Sequence, residues 1–260
     1  MSIVKVGLYY FSATGNCLTT AKILSEELPY DCDLIGIASL KNQESIQVDY
    51  DMVGFIFPIY YGDMPYLVRH VINRMCFKDK AYIFVFSTYR GHPGDIAKRM
   101  DEVLKERGQS LSLNIGISMP GNSYLSTKEQ IESSLKYQKQ NIQQLLDKII
   151  HQEKHDYSLL VHPEPSPIAK GFYNMRGIQA DEKCIGCGIC TQVCPMDNIE
   201  LKDKHACIGD RCITCLACFH WCPVEAIHMS KEKEIEYRVK YHHPDIKMND
   251  IIHQKKDNNQ

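Results

Sequence analysis

The segment CIGCGICTQVCP at Cys184–Pro195 recurs as CITCLACFHWCP at Cys212–Pro223, 28 residues further along the chain. Each copy spaces three cysteines three residues apart and places a fourth cysteine directly before a proline. Ile199 and Ile227 extend the correspondence beyond the two prolines. We infer that one small unit is duplicated, and that residues 176–230 form a domain of their own.

Cysteine is concentrated in this repeat. Of the 12 cysteines in the chain, nine lie between Cys184 and Cys222, whereas the first 180 residues contain only Cys17, Cys32 and Cys76. Many cysteines in a secreted protein would indicate disulfides, but such clustering indicates metal ligation in a reducing compartment. The repeat is therefore expected to bind metal.

The spacing within each copy suits a 4Fe-4S cluster. Three cysteines at every third residue wrap around one cluster, and the fourth, before proline, points away to a second cluster. Two clusters are therefore expected, one held by Cys184, Cys187, Cys190 and Cys222, the other by Cys212, Cys215, Cys218 and Cys194. Zinc is the alternative, although zinc sites usually separate two Cys-x-x-Cys pairs by a longer loop. The repeat resembles the bacterial two-cluster ferredoxins, which have a small α+β fold.

Two residues of the duplicated segment have no matching residue in the other copy. Cys207 is interpreted as a spare thiol, with an alternative ligand or a redox-sensitive cysteine as the other possibilities. Trp221 is the single tryptophan of the chain. We expect it to shield a cluster edge from water, with electron relay as the alternative.

Residues 1 to about 155 alternate short apolar runs with amphipathic stretches, a pattern typical of a doubly wound α/β domain with a parallel sheet. Five strands are predicted, at residues 4–11, 32–37, 52–57, 81–87 and 111–119. Four helices are predicted, at residues 17–28, 66–75, 93–107 and 127–151. Ser126 and Glu129 have the spacing of a capping box at the start of the last helix.

The remaining segments divide the chain. His162–Pro167 contains three prolines, which cannot continue a helix or occupy a central strand. We therefore predict a first domain at residues 1–160, a stiff linker at residues 161–175 and the cysteine domain at residues 176–230. Residues 231–260 are polar and charged, and are expected to form a partly ordered tail that frays at its end.

The loop after the first strand is a candidate anion site. Ser12-Ala13-Thr14-Gly15-Asn16-Cys17 opens the first helix, where main-chain N–H groups, the helix dipole and hydroxyl donors favour an anion. The loop is no G-x-G-x-x-G and lacks the lysine of a Walker loop, so a monophosphate fits better than a dinucleotide or a triphosphate. A simple helix cap is the alternative interpretation.

Two further loops are expected at the same edge of the sheet, because ligands bind at the carboxyl ends of parallel strands. The first contains Pro58, Tyr60, Tyr61 and Gly62, and the second contains Thr88, Tyr89, Arg90, Gly91 and His92. Tyrosine rings offer flat faces for stacking, and glycines let the main chain approach a ring edge. Loop-packing aromatics are the alternative.

These loops resemble those of the flavodoxins. The resemblance implies that Ser12–Cys17 hold the phosphate of FMN, that Tyr60–Gly62 border its ring system and that Thr88–His92 cover the other side. Cys17 departs from the family, where Thr or Ser is usual, and implies weaker phosphate binding. The whole chain resembles fusions of a flavodoxin-like domain with a two-cluster ferredoxin domain, and Asn122 and Tyr124 are expected to reach the flavin.

The joined parts predict an electron-transfer protein that links a low-potential redox donor to an acceptor through two 4Fe-4S clusters and FMN. A small flavin-dependent reductase of a quinone or similar acceptor is the alternative, although no catalytic residue is identified. The net charge of −2 and the pI of about 6.6 give no support for nucleic acid as a partner. No membrane span or leader is recognised, so redox proteins in the cytoplasm are the expected partners.

Overall fold

The first domain is built on a five-stranded parallel sheet. The computed structural model describes residues 4–122, 126–157, 177–229 and 240–256. The sheet has the strand order β2-β1-β4-β6-β7 and contains β1 (Lys5–Tyr10), β2 (Asp31–Gly36), β4 (Met52–Pro58), β6 (Tyr82–Tyr89) and β7 (Leu113–Ser118). All neighbouring strands pair in parallel. The predicted doubly wound sheet is therefore confirmed, with the 2-1-3-4-5 order of a flavodoxin-like fold.

Helices lie between these strands. They are α1 (Asn16–Glu27), α2 (Tyr66–Ile72), α3 (Ile96–Lys105) and α4 (Lys128–Ile150), with a 3-10 turn at Ile37–Leu40. A small parallel sheet pairs β3 (Ile46–Val48) with β5 (Met75–Phe77). The sequence analysis did not predict this sheet, and Met75, placed there in a helix, lies in β5.

The core of the first domain lies along the central strands. Residues 52–57 of β4 and residues 82–88 of β6 are buried throughout, which explains why these strands have no polar side. Phe55, Phe84 and Phe86 are fully buried, and each contributes about 1.5–3 kcal/mol by leaving water. A Cβ atom at Gly54 would lie 2.4 Å from the Phe84 ring, so this strand position has room only for glycine.

The capping box of α4 is displaced by one residue from its predicted place. The predicted pair Ser126 and Glu129 is wrong: Thr127 Oγ1 accepts from Gln130 N at 3.3 Å, and Gln130 Oε1 accepts from Thr127 N at 3.1 Å. Both pairs have the same spacing, and the sequence alone does not distinguish them. Ser126 is instead buried.

The second domain reproduces the sequence repeat in its backbone. It contains β8 (Gln179–Ala180), α5 (Ile189–Val193), β9 (Ile199–Lys202), β10 (His205–Ile208), α6 (Ala217–His220) and β11 (Ile227–His228). The outer strands β8 and β11 pair antiparallel, as do β9 and β10. Left-handed residues recur at equivalent positions, namely Gly186 and Thr214, Gly188 and Leu216, and Asp197 and Glu225.

The C-terminal segment, residues 240–256, packs against the first domain. It contains α7 (Met248–His253), and its side chains Ile246 and Ile251 belong to the core of that domain. The predicted linker at residues 161–175 and the predicted flavin contact Tyr124 lie outside the described residues. Where the structure describes the chain, no helix combines the length and apolarity needed to cross a membrane.

Candidate functional site

Eight cysteines line two separate cavities in the second domain. Cys184, Cys187 and Cys190 line the first, together with Cys222 from the other repeat. Cys212, Cys215 and Cys218 line the second, together with Cys194. The structure thus brings together the two predicted sets, each with its fourth cysteine from the other repeat. Cys207, on β10, lines neither cavity.

The donor set of each cavity fits an iron-sulfur cluster. Within the described ranges, no three His, Cys, Asp or Glu side chains converge closely enough to hold one metal ion. Cysteines spaced around an otherwise apolar cavity suit a cube of iron and sulfur atoms.

The fourth cysteine of each copy accepts an equivalent main-chain hydrogen bond. Asn198 N donates to Cys194 Sγ at 3.4 Å, and Ala226 N donates to Cys222 Sγ at 3.2 Å. Hydrogen bonds to cluster sulfurs and burial of the cluster both set its reduction potential. The duplication therefore preserves the surroundings of the predicted ligands as well as the ligands themselves.

A third cavity lies at the carboxyl edge of the parallel sheet. It is formed by the loops after β1, β4, β6 and β7, next to the switch point between β1 and β4 where such sheets bind ligands. We call it the edge pocket. Ten predicted site residues line it: Ser12, Ala13, Thr14, Asn16, Cys17, Pro58, Tyr60, Thr88, Tyr89 and Arg90.

The other predicted residues do not line the edge pocket. Gly15 is left-handed, with φ 103°, at the start of α1, and Tyr61 lines a neighbouring cleft. Gly62 contacts Gly94, whose added Cβ would lie 2.6 Å from Gly62 Cα. Gly91 and His92 are exposed. Three residues of the loop after β7, Pro120, Gly121 and Asn122, line the pocket as well.

Polar groups are buried around the edge pocket. The side chains of Ser12, Thr14, Asn16 and Thr88 are all buried beside the N-terminus of α1. Ser12 Oγ accepts from Gly15 N at 3.0 Å, which closes the first turn of the loop. Hydroxyl and amide donors at a helix N-terminus suit an anion, so this loop fits a phosphate.

Cys17 joins this loop to the loop after β6. Its Sγ lies 3.1 Å from Thr88 Oγ1. Burial raises the pKa of the Cys17 thiol to about 12, so the thiol stays neutral near pH 7. The residue that departs from the flavodoxin pattern therefore forms a neutral contact between two walls of the pocket.

Asn122 joins the edge pocket to the second cysteine cavity. Its Nδ2 donates to Tyr60 Oη at 2.9 Å and to the main-chain oxygen of Cys215 at 2.8 Å. The main-chain carbonyl oxygen of Asn122 lies 2.8 Å from His220 Nε2. His220 Nδ1 accepts from Tyr241 N at 3.0 Å, so Nε2 carries the proton and donates to Asn122. Burial lowers the pKa of His220 to about 4, which keeps this imidazole neutral.

Trp221 makes a second junction between the domains. Its Nε1 donates to the main-chain oxygen of Ala13 at 2.9 Å, and its ring stacks on His242 with centroids 4.3 Å apart. The indole belongs to the core of the first domain, although it directly precedes the predicted ligand Cys222. Trp221 therefore fixes the second repeat against the loop after β1.

Sequence reasoning missed the contribution of the C-terminal segment to the pocket walls. Tyr241 Oη donates to Asn16 Oδ1 at 2.7 Å, and His243 N donates to the Thr14 oxygen at 2.7 Å. Gln254 binds both main-chain polar atoms of Ser12. The signal in the sequence was Tyr241–Asp245, an aromatic and histidine-rich stretch inside an otherwise polar tail.

Comparisons with known proteins agree with this division. The model of the 4Fe-4S dicluster domain family matches residues 183–226. The flavodoxin of Streptococcus pneumoniae TIGR4 is 16% identical, with 56% of this chain and 99% of that chain covered at a TM-score of 0.35. A flavodoxin from the domain Archaea is also 16% identical, with 55% and 99% covered at a TM-score of 0.29. A search of curated protein sequences finds no match.

The strand order identifies the fold of the first domain. The five-stranded parallel sheet has the flavodoxin-like order β2-β1-β4-β6-β7. The loops at its carboxyl edge line a pocket, as expected for a ligand site in such a sheet. Residues 183–226 match a family whose members carry 4Fe-4S clusters. The chain as a whole fits a flavodoxin-ferredoxin fusion.

Proposed function

We propose that this protein transfers electrons between two 4Fe-4S clusters and an FMN, and so connects a low-potential redox donor to an acceptor. The observation that carries the proposal is the double hydrogen bond of Asn122, which joins the edge pocket to a cysteine of the second cavity. The 4Fe-4S domain and the flavodoxin-like sheet support an electron-transfer flavoprotein role.

The residues that line the cavities support the two proposed cofactor types. Four cysteines in each of two cavities support two clusters, and one hydroxyl-rich loop supports a single phosphate, which favours FMN over a dinucleotide. When bound, the clusters supply one-electron steps and the flavin supplies one- or two-electron steps. The protein positions these groups, excludes water from the junction and sets their electrostatic surroundings.

We further propose that the second cavity, lined by Cys194, Cys212, Cys215 and Cys218, holds the cluster nearer to the flavin. Cys215 is buried and packs with the core of the first domain, whereas Cys184 and Cys187 lie on the other cavity. Tyr60, buried beside Phe11, occupies the wall between the edge pocket and Cys215. Short separation favours electron transfer between the two sites.

A small reductase remains the second candidate, favoured by one observation. A wide cleft adjoins the edge pocket and reaches Tyr60, Tyr61 and the predicted ligand Cys212. Its other walls include Arg69, His70, Arg74 and Arg211. An acceptor in this cleft would lie beside both predicted cofactors. Steady-state turnover with quinones distinguishes the reductase from a carrier, which passes electrons only to a partner protein in the cytoplasm.

The test is reduction of the flavin in a protein that lacks one cluster. Cys215→Ala should keep FMN content near that of the wild type, because flavin and cluster occupy separate cavities, and should slow flavin reduction by a low-potential donor at least tenfold. Cys207→Ala, a cysteine outside both cavities, is the matched control and should reduce at the wild-type rate. An unchanged rate in Cys215→Ala, with cluster loss shown by iron analysis, would contradict the proposed route.

A further inference from the structure

We propose that the C-terminal segment, residues 240–256, is a clasp that shapes the loop Ser12–Cys17 for a phosphate monoester, with Gln254 and Tyr241 as its positioning residues. The inference rests on the proposed binding of FMN and adds a third part of the chain to that site. None of the clasp residues lines the edge pocket, so the clasp acts on the loop from outside.

Gln254 holds both polar atoms of one main-chain residue. Its Oε1 accepts from Ser12 N at 3.1 Å, and its Nε2 donates to the Ser12 oxygen at 2.7 Å. The side chain is only 2% exposed, and an added Cβ at Gly36 would lie 2.3 Å from the main-chain oxygen of Gln254. Burial and the two hydrogen bonds fix the orientation of the side-chain amide. Ser12 Oγ in turn accepts from Gly15 N, so Gln254 fixes the main-chain position from which the rest of the loop folds.

Tyr241 orients the amide of Asn16, the first residue of α1. Its hydroxyl donates to Asn16 Oδ1 at 2.7 Å, which leaves Asn16 Nδ2 to donate to the Pro120 oxygen at 2.9 Å. The N-terminus of α1 is thereby tied to the loop after β7, on the opposite wall of the pocket. Without Tyr241 Oη, the Asn16 side chain would be held by the Pro120 hydrogen bond and no longer by a donor at its Oδ1.

His243 binds the main-chain carbonyl group of Thr14, which lies between Ser12 and Asn16 in the loop. Its N–H donates to the Thr14 oxygen at 2.7 Å, so this oxygen points toward the clasp and away from the pocket. A carbonyl oxygen that faced the pocket would repel an anion. Gly15 follows with φ 103°, and an added Cβ there would lie 2.8 Å from His243 Cβ.

The far end of the clasp is anchored in the second domain. Lys255 Nζ lies 2.6 Å from Asp197 Oδ1 and donates to the Gln192 oxygen at 2.9 Å. Both partners belong to the first cysteine repeat. The clasp therefore connects the phosphate loop with the domain that carries the predicted clusters.

The experiment compares FMN with riboflavin, which has the same ring system but no phosphate. Gln254→Ala and Tyr241→Phe, made in the full chain, should raise the Kd for FMN about tenfold and leave the Kd for riboflavin within about twofold. Asn249→Ala, on the exposed face of α7, is the matched control and should change neither constant. Equal weakening of both flavins would show general destabilisation and overturn the proposal.

Amide hydrogen exchange over residues 12–17 in flavin-free protein provides a reading that does not depend on flavin binding. Exchange should be faster in Gln254→Ala and Tyr241→Phe than in Asn249→Ala. If the wild type binds no flavin but exchange changes in this way, the proposed FMN function fails and the clasp is supported. If the wild type binds FMN while neither the Kd values nor the exchange rates change, the clasp is wrong.

Discussion

The side-chain nitrogen of Asn122 lies 2.8 Å from the main-chain oxygen of Cys215, and these two atoms belong to different domains. The same nitrogen donates to Tyr60 Oη at 2.9 Å. One amide group thus contacts a wall of the edge pocket and a predicted cluster ligand at once. Asn122 lies in the loop after β7 of the first domain. The geometry of the site therefore depends on how the two domains are positioned relative to each other.

Replacing Asn122 tests that junction. Asn122→Ala should leave Tyr60 Oη and the Cys215 oxygen without this donor, at a cost of about 1–3 kcal/mol for buried polar groups that lose a partner. We expect flavin reduction by the clusters to slow several-fold in stopped-flow absorbance, with iron and flavin contents unchanged. Asn42→Ala, an exposed residue of the neighbouring cleft, is the control. Wild-type kinetics in Asn122→Ala would show that this amide is not needed.

Crossed ligation predicts a pattern in iron loss. The wild type should contain about eight irons and Cys222→Ala about four, because each 4Fe-4S cluster holds four. Adding Cys190→Ala should remove no further iron, since both cysteines line the first cavity. Adding Cys218→Ala instead should remove both clusters, since Cys218 lines the second. If Cys218→Ala removed no further iron and Cys190→Ala removed the remaining cluster, each repeat would bind its own cluster.

The thiol of Cys17 is expected to limit the affinity for FMN. Cys17→Thr places a hydroxyl, a stronger donor than a thiol, where Sγ lies 3.1 Å from Thr88 Oγ1. The Kd for FMN, measured by quenching of flavin fluorescence, should fall about three- to tenfold. Cys17→Ser should behave similarly and Cys17→Ala should weaken binding. Equal affinity in all four proteins would mean that the main-chain amides alone hold the phosphate.

Thr214 is expected to be a site of stored backbone strain. It adopts φ 53° at the position where the first repeat has Gly186, with φ 67°. A left-handed β-branched residue costs about 1–2 kcal/mol, partly offset in Thr214→Gly by the greater freedom of glycine in the unfolded chain. Thr214→Gly should raise Tm by about 2–4 °C in the anaerobic protein with its clusters bound.

The reciprocal substitution is the control for Thr214. Gly186→Thr should lower Tm, because an added Cβ would lie 2.6 Å from the Lys204 oxygen. If Thr214→Gly lowers Tm as well, the contacts of the Thr214 side chain outweigh the strain. One such contact is the hydrogen bond from Thr214 Oγ1 to the Ile213 oxygen, at 2.8 Å.

The parts of the fold that follow from local pattern were predicted from the sequence. The strands of the parallel sheet are continuous apolar runs, such as residues 52–57, and burial on both faces requires such runs. Each predicted cysteine set lines one cavity, and three of its four members were grouped from the local spacing within one loop. Ligation itself stays a prediction.

The parts that depend on distant contacts were not predicted. The three-residue strands β3 and β5 are too short to show a period, and each is stabilised by the other. The role of Tyr241, His243 and Gln254 was missed because their partners, Asn16, Thr14 and Ser12, are more than 200 residues away. A polar segment that binds through hydrogen bonds has no apolar pattern to reveal it.

The position of Gln254 in the chain has a consequence for synthesis. It follows Ser12, its partner, by 242 residues. At the usual rate of about 5–20 residues per second, the ribosome makes Gln254 some 12–50 seconds after the loop that it holds. During that interval both cysteine repeats are also made. A nascent chain therefore completes the walls of its predicted phosphate loop only after all eight predicted iron ligands have been synthesised, and a product truncated before residue 240 lacks those wall contacts.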